Sequence, residues 1–237
     1  MKRICIFVGV LLALTGPVAE AFQANGLIEP HRVVKVGSPQ VGVLATVDVD
    51  RGDYVKAGQV LATLHSSVEK ATMELKKAQK DFAERKKDRL VPLFKKDLLA
   101  AHDMDEVETG RALAEADLKH ATEIVNRLVI RSTIDGVVVE RYMSPGEYVE
   151  NQPILKVVQI DPLNVELILP SDKYHLIKVG MKAKVIPEKP MDGQYFAIVT
   201  IVDRVIDAAS GTFGVRLTLP NPKHNLPAGL KCKVIFP

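Results

Sequence analysis

Few side chains of this chain are grouped as chemistry would need them. The six histidines stand at 31, 65, 102, 120, 175 and 224, with no two at a metal-ligand spacing. His102, Asp103 and Met104 form the one run able to touch a metal, and its plainer reading is the polar surface of a turn. The methionines are dispersed, which argues against a methionine-based copper or silver relay. No Gly-x-Ser-x-Gly turn and no paired carboxylates mark a hydrolase. The two thiols, Cys5 and Cys232, are too few for a cysteine-rich metal site. The residues therefore point to no catalytic centre, no resident metal and no cofactor.

The N-terminus reads as an export signal. Lys2 and Arg3 precede an apolar run from Ile4 to Leu14, and Ala19-Glu20-Ala21 is a small-x-small site. This pattern predicts a signal peptide over residues 1–21, cleaved after Ala21. The run is shorter than the roughly 20 residues of a transmembrane helix. Cys5 stands too early to carry a lipid anchor, and its removal leaves Cys232 without a partner. The expected mature protein is soluble in an exported compartment. With 47% apolar and 26% charged residues and a net charge of +3, the composition is ordinary and favours no nucleic acid.

The elements that would position any site are organised by a repeat. Gly42-Val43, Gly52-Asp53-Tyr54-Val55 and Leu61 recur as Gly136-Val137, Gly146-Glu147-Tyr148-Val149 and Leu155, each 94 positions on. Val43, Ala45, Val47 and Val49 alternate with Leu44, Thr46, Asp48 and Asp50, a period of two that predicts a strand with one buried face. Gly52, and Gly146 after Pro145, occupy the third positions of predicted type II turns, where φ is positive. No helix starts after either glycine, so neither is a phosphate loop.

Between the copies the period changes. Val68, Ala71, Leu75, Ala78 and Phe82 recur at steps of three and four, as do Ala114, Leu118, Ala121, Val125 and Leu128. Both stripes predict the seam of an antiparallel coiled coil, with a turn over 97–103 and a first helix of about 45 Å that kinks or ends near Pro92. Residues 66–97 hold ten Lys/Arg against six Asp/Glu, and residues 103–127 hold three against seven. That asymmetry predicts electrostatic matching, within one hairpin or between hairpins of neighbouring subunits. Beyond it, 164–169, 182–186, 195–202, 214–219 and 231–236 read as strands, with a short helix over 173–179.

Two lipoyl-type half-motifs flanking a helical hairpin resemble the periplasmic adaptor subunits, or membrane-fusion proteins, of tripartite efflux pumps. The resemblance implies a mainly β fold. Residues 26–64 with 129–160 would form a split lipoyl/biotinyl-like domain, 65–128 an inserted α-helical hairpin, and 161–237 a β-barrel that residues 22–25 are candidates to join. It implies a short form lacking a full membrane-proximal domain. In this family the hairpin tip carries Arg, Leu four positions on, and Ser eleven positions after the Arg, with an acid beyond. Arg89, Leu93 and Asp105 match, and Ala100 stands in place of the Ser. These are the residues expected to dock on an outer-membrane channel.

The implied function is non-catalytic. The chain would link an inner-membrane transporter, proton-driven and of the resistance-nodulation-division class, to an outer-membrane channel. It would be a homo-oligomeric ring, periplasmic and peripherally associated with the inner membrane, for export of small molecules. The alternatives are a secreted lipoyl/biotinyl-like carrier or a coiled-coil scaffold. Against the carrier, His65-Ser66-Ser67 stands where a modifiable lysine belongs. Against the scaffold, a simple spacer needs no split β-module around it.

Overall fold

A computed structural model describes residues 22–237. The expected leader over 1–21 and its cleavage site at Ala21 lie outside the described residues. The chain runs β1 (Phe22–Val36), β2 (Gly42–Val47), β3 (Tyr54–Val55), β4 (Val60–Leu64), α1 (Ser67–Phe94), α2 (Ala101–Arg127), β5 (Val129–Arg131), β6 (Gly136–Arg141), β7 (Tyr148–Val149) and β8 (Leu155–Pro170). It continues through a 3-10 helix (Ser171–Leu176), β9 (Lys182–Pro187), β10 (Tyr195–Val202), β11 (Thr212–Leu219) and β12 (Lys231–Phe236). The fold is mainly β with one helical hairpin, in agreement with the sequence reading.

Two compact units share the chain. One holds residues 22–29 and 162–237, the other Pro30–Asp161. The boundary falls inside β1 and again inside β8, each time at a proline, Pro30 and Pro162. Proline offers no N–H to a ladder, so each long strand loses a donor where it passes from one unit to the other.

The first unit is a barrel. Its strands follow the order β1-β12-β9-β10-β11-β8, and β1 also pairs with β8, which closes the sheet. Closure removes the exposed edges that invite aggregation. Gly26 lies at that closure: a Cβ there would approach the carbonyl oxygen of Glu166 to 3.0 Å. Val185, Ala197, Val199, Val215, Leu217 and Val234 are buried, and their strand neighbours point outward. The expected helix over 173–179 is instead a 3-10 turn ending at Leu176.

In the second unit the two repeat copies exchange strands. β2 of the first pairs with β7 of the second, Gly42 opposite Val149 and Val43 opposite Tyr148. β3 pairs with β6 in the equivalent register, Val55 opposite Gly136 and Tyr54 opposite Val137. The exchange continues into the turns. Gly52 donates its N–H to Val138 (2.8 Å) and Gly146 donates its N–H to Leu44 (2.8 Å). Gly52 has φ +98° and Gly146 φ +91°. Asp53 and Glu147 accept, on their carboxylates, the N–H of Asp50 (2.7 Å) and Ser144 (3.0 Å). Leu44, Val55, Leu61, Val138, Val149 and Leu155 are 0% exposed and form the core between the copies.

One detail of the strand reading is corrected. Val43 is 36% exposed and Leu44 is buried. The β2–β4 ladder shifts register between Leu44 and Thr46, and one extra residue in a strand moves the following side chains to the other face. The simple alternation therefore breaks in the middle of the strand, and Val49 returns to the core.

Candidate functional site

The hairpin is where the sequence places its candidate contacts. α1 passes through Pro92 and ends two residues on at Phe94, near where the proline is expected to end it, since proline donates no N–H to the turn before it. The helix then closes by a Schellman motif. Leu98 donates its N–H to Leu93 (3.0 Å), Asp97 donates to Phe94 (3.0 Å), and Asp97 has φ +56°. α2 starts at Ala101, two residues before the predicted end of the turn. Ala100 is its N-cap, in an extended conformation with no side-chain hydrogen bond to the helix. The hydroxyl that a Ser would supply here is the group that usually satisfies a first-turn N–H.

Arg89, Leu93, Ala100 and Asp105 are all exposed around this turn. Among the described residues no ion pair joins Arg89 to Asp105. Leu93, Phe94 and Leu98 are 41%, 39% and 70% exposed, so the tip presents an apolar cluster beside Lys95 and Lys96. Below it an open groove of about 570 Å³ lies between the helices, lined by Phe82, Lys86, His102, Asp105 and Arg111 among others. His102, Asp103 and Met104 do not converge, since Met104 is buried in the hairpin seam, and no metal-holding group occurs among the described residues.

The seam differs from the sequence reading on one helix. α2 turns Met104, Val107, Ala121 and Leu128 inward, with Ala114, Leu118 and Val125 half-buried, so its stripe is the seam and begins earlier than expected. The stripe of α1 is not. Val68, Leu75 and Phe82 are 72%, 58% and 58% exposed, and Ala71 and Ala78 are exposed between them. The face of α1 toward α2 carries Met73, Lys76, Lys80, Ala83, Lys87 and Leu90. Lysine stems cover apolar surface there while their ammonium groups reach acids on α2. Lys76 pairs with Asp117 (2.7 Å), Lys87 with Glu108 (3.4 Å) and Arg111 with Glu84 (3.6 Å) and Glu115 (2.9 Å).

The consequence is that α1 keeps an apolar stripe in water in addition to its seam face. α2 likewise exposes Leu113, Ala116, His120 and Ile124, again at steps of three and four. The two helices differ in charge. Lys70, Lys77, Arg85, Lys86 and Arg89 are exposed on α1, and Asp103, Asp105, Glu106, Glu108, Glu115 and Glu123 on α2. The spacing of the α1 stripe marks it as helical, but spacing alone does not say which neighbour a stripe faces.

Comparison with known proteins gives this geometry its relatives. The family model of the CzcB-like barrel-sandwich hybrid domain matches residues 32–159. The cobalt-zinc-cadmium resistance protein CzcB of Cupriavidus metallidurans is 27% identical over 80% of this chain and 39% of its own length. The antibiotic efflux pump periplasmic linker protein ArpA of Pseudomonas putida is 24% identical over 86% of this chain and 60% of its own. The chain thus spans about half the length of the curated relatives it matches. Among solved structures, a MacA-MexA chimeric protein containing the Pseudomonas aeruginosa MexA hairpin superposes with a TM-score of 0.77. That match covers 91% of this chain and 80% of the chimera at 21% identity, and it supports the fold.

Proposed function

The chain belongs to the CzcB-like barrel-sandwich hybrid family, and on that premise we propose that it is a non-catalytic periplasmic adaptor of an efflux assembly. In this reading the barrel unit engages an inner-membrane transporter of the proton-driven, resistance-nodulation-division class. The hairpin tip engages an outer-membrane channel. The observation that carries it is the hairpin itself: 28 and 27 residues of helix, inserted between two repeat copies that exchange strands, with an exposed tip. A carrier would need a short turn bearing a lysine at that place.

Arg89 is the proposed electrostatic contact with the channel and Leu93 its apolar neighbour, with Asp105 beside them and Ala100 as the helix cap. Export after cleavage at Ala21 places the protein in the periplasm. Several copies side by side form the proposed ring, because the two helices of one hairpin are opposite in charge balance and each exposes apolar side chains. Such a head-to-tail contact repeats until it closes.

The test is efflux and channel capture in cells carrying the chain with residues 66–127 deleted, or Arg89→Glu. Loss of export and loss of co-purified channel are expected. Unchanged export and capture in both variants would overturn the adaptor reading.

A further inference from the structure

The barrel carries a surface that the hairpin reading does not use. Outward-facing residues of β12, β9 and β10 meet in cross-strand rows. Ile235 lies opposite Lys184, and Lys184 opposite Phe196. Lys233 lies opposite Ile186, and Lys182 opposite Ile198. On the flanking strands the same face continues with Gln23 and Asn25 of β1 and Thr218 of β11. No carboxylate stands among these positions. The nearest along the strand is Glu188, just past β9, whose N–H is donated to the carbonyl of Lys231 (2.9 Å).

Phe196 and Ile198 are 67% and 44% exposed. Ile186, Ile235 and Lys184 are half-buried, and Lys182 and Lys233 are exposed. Among the described residues none of the three lysines takes part in an ion pair. Apolar side chains on a solvated sheet face, alternating with unpaired cations, have a cost in water that a partner would relieve.

We propose that this face docks the barrel on an anionic membrane surface. Lysine ammonium groups on apolar stems suit the headgroup layer, and Phe196 with Ile198 reaches the acyl boundary beneath it. The alternation of the two kinds in both directions of the sheet fits a laterally fluid surface of uniform charge. A protein partner would more often be met by one apolar anchor in a pocket, with charges at its rim. The proposal relies on the adaptor reading only for which membrane the protein would meet. The binding chemistry stands on the barrel alone.

The chain contains no tryptophan, so Phe196→Trp installs a single fluorescent reporter on the face. The protein is recovered from the periplasm of an expressing cell and mixed with vesicles of phosphatidylglycerol and phosphatidylethanolamine. A blue shift and co-sedimentation are expected, both weakened by salt, with neither seen on phosphatidylcholine vesicles. Lys184→Glu with Lys233→Glu should lower vesicle affinity about tenfold or more. Lys77→Glu with Lys86→Glu, on the hairpin, should leave it unchanged. Emission that does not move, equal binding to neutral vesicles, or an equal loss from the hairpin pair would overturn the proposal. So would failure to bind vesicles while the barrel pair abolishes capture of an acidic protein partner. Efflux that survives without vesicle binding removes this inference and leaves the adaptor reading standing; loss of the adaptor reading leaves vesicle binding untouched.

Discussion

Gly136 is the residue on which the exchange between the repeat copies presses hardest. A Cβ there would overlap the carbonyl oxygen of Val158 on β8. At its counterpart Gly42 the nearest atom is the tip of Leu64, at 2.9 Å, which can rotate away. Gly52 has nothing within 4 Å, so only its positive φ asks for glycine. Gly136→Ala is therefore expected to cost about 2 kcal/mol or more in urea unfolding, through backbone displacement. Gly52→Asn should cost a fraction of that, since Asn tolerates the left-handed region. An equal cost at both sites would contradict the close approach. The turns were legible in the sequence because Gly sat at the required position. Asp97 was not, since an aspartate gives no sign that it will adopt φ +56°. Cys232, 1% exposed, has its thiol pushed up to about 11 by burial. The unfolded thiol ionises near 9.0, so the neutral thiol favours the fold below that pH, and this contribution is lost as pH rises toward about 11. Alkylation at pH 8 should accordingly be slow in the folded protein and fast in denaturant; rapid reaction without denaturant would show the barrel opening at β12.

Within the hairpin, helix choice and helix pairing were legible to different degrees. The apolar period identifies both helices, and on α2 it also identifies the buried face. On α1 the same period identifies an outward stripe, because lysine stems fill the seam and leave the more apolar residues outside. Patterns of hydrophobicity count a lysine as polar, whereas packing uses its methylenes. Charge asymmetry was the better guide: Lys76–Asp117 and Lys87–Glu108 follow it, while Glu84–Arg111 joins the two helices in the reverse sense. These pairs are partly solvated, so each is worth about 0.5 kcal/mol. Lys76→Asp alone should lower the melting temperature slightly, and Lys76→Asp with Asp117→Lys should restore it. A double variant no better than the single would mean that the pair does not set the hairpin register. Among the strands, the stretch from Phe22 to Val36 was legible as one added to the barrel, and β1 has those bounds; that Pro30 divides it between the two units was not.

At the scale of the whole molecule, the two exposed stripes of the hairpin lack a cover within one copy. The seam pairs place α1 and α2 residues at matched heights. Phe82 lies between Lys76 and Glu84, and Leu113 lies between their partners Asp117 and Arg111, so Phe82 and Leu113 share a level. A second copy set beside the first at the same height brings Phe82 to Leu113, with the basic helix of one against the acidic helix of the next. Burying Val68, Leu75 and Phe82 contributes about 1.5–3 kcal/mol each at most. Losing the free motion of one copy costs about 4–15 kcal/mol. A single such contact is thus marginal, and the pairing should be weak until a ring closes or a membrane partner gathers the copies. The purified chain is expected to be largely monomeric at micromolar concentration and to assemble when its transporter is present, as read by mass measurement. Leu75→Glu with Phe82→Glu should abolish assembly and leave the monomer's melting temperature unchanged, because both side chains already face water. Assembly that survives this pair would place the contact elsewhere, and a melting temperature that falls would show the stripe turned inward after all.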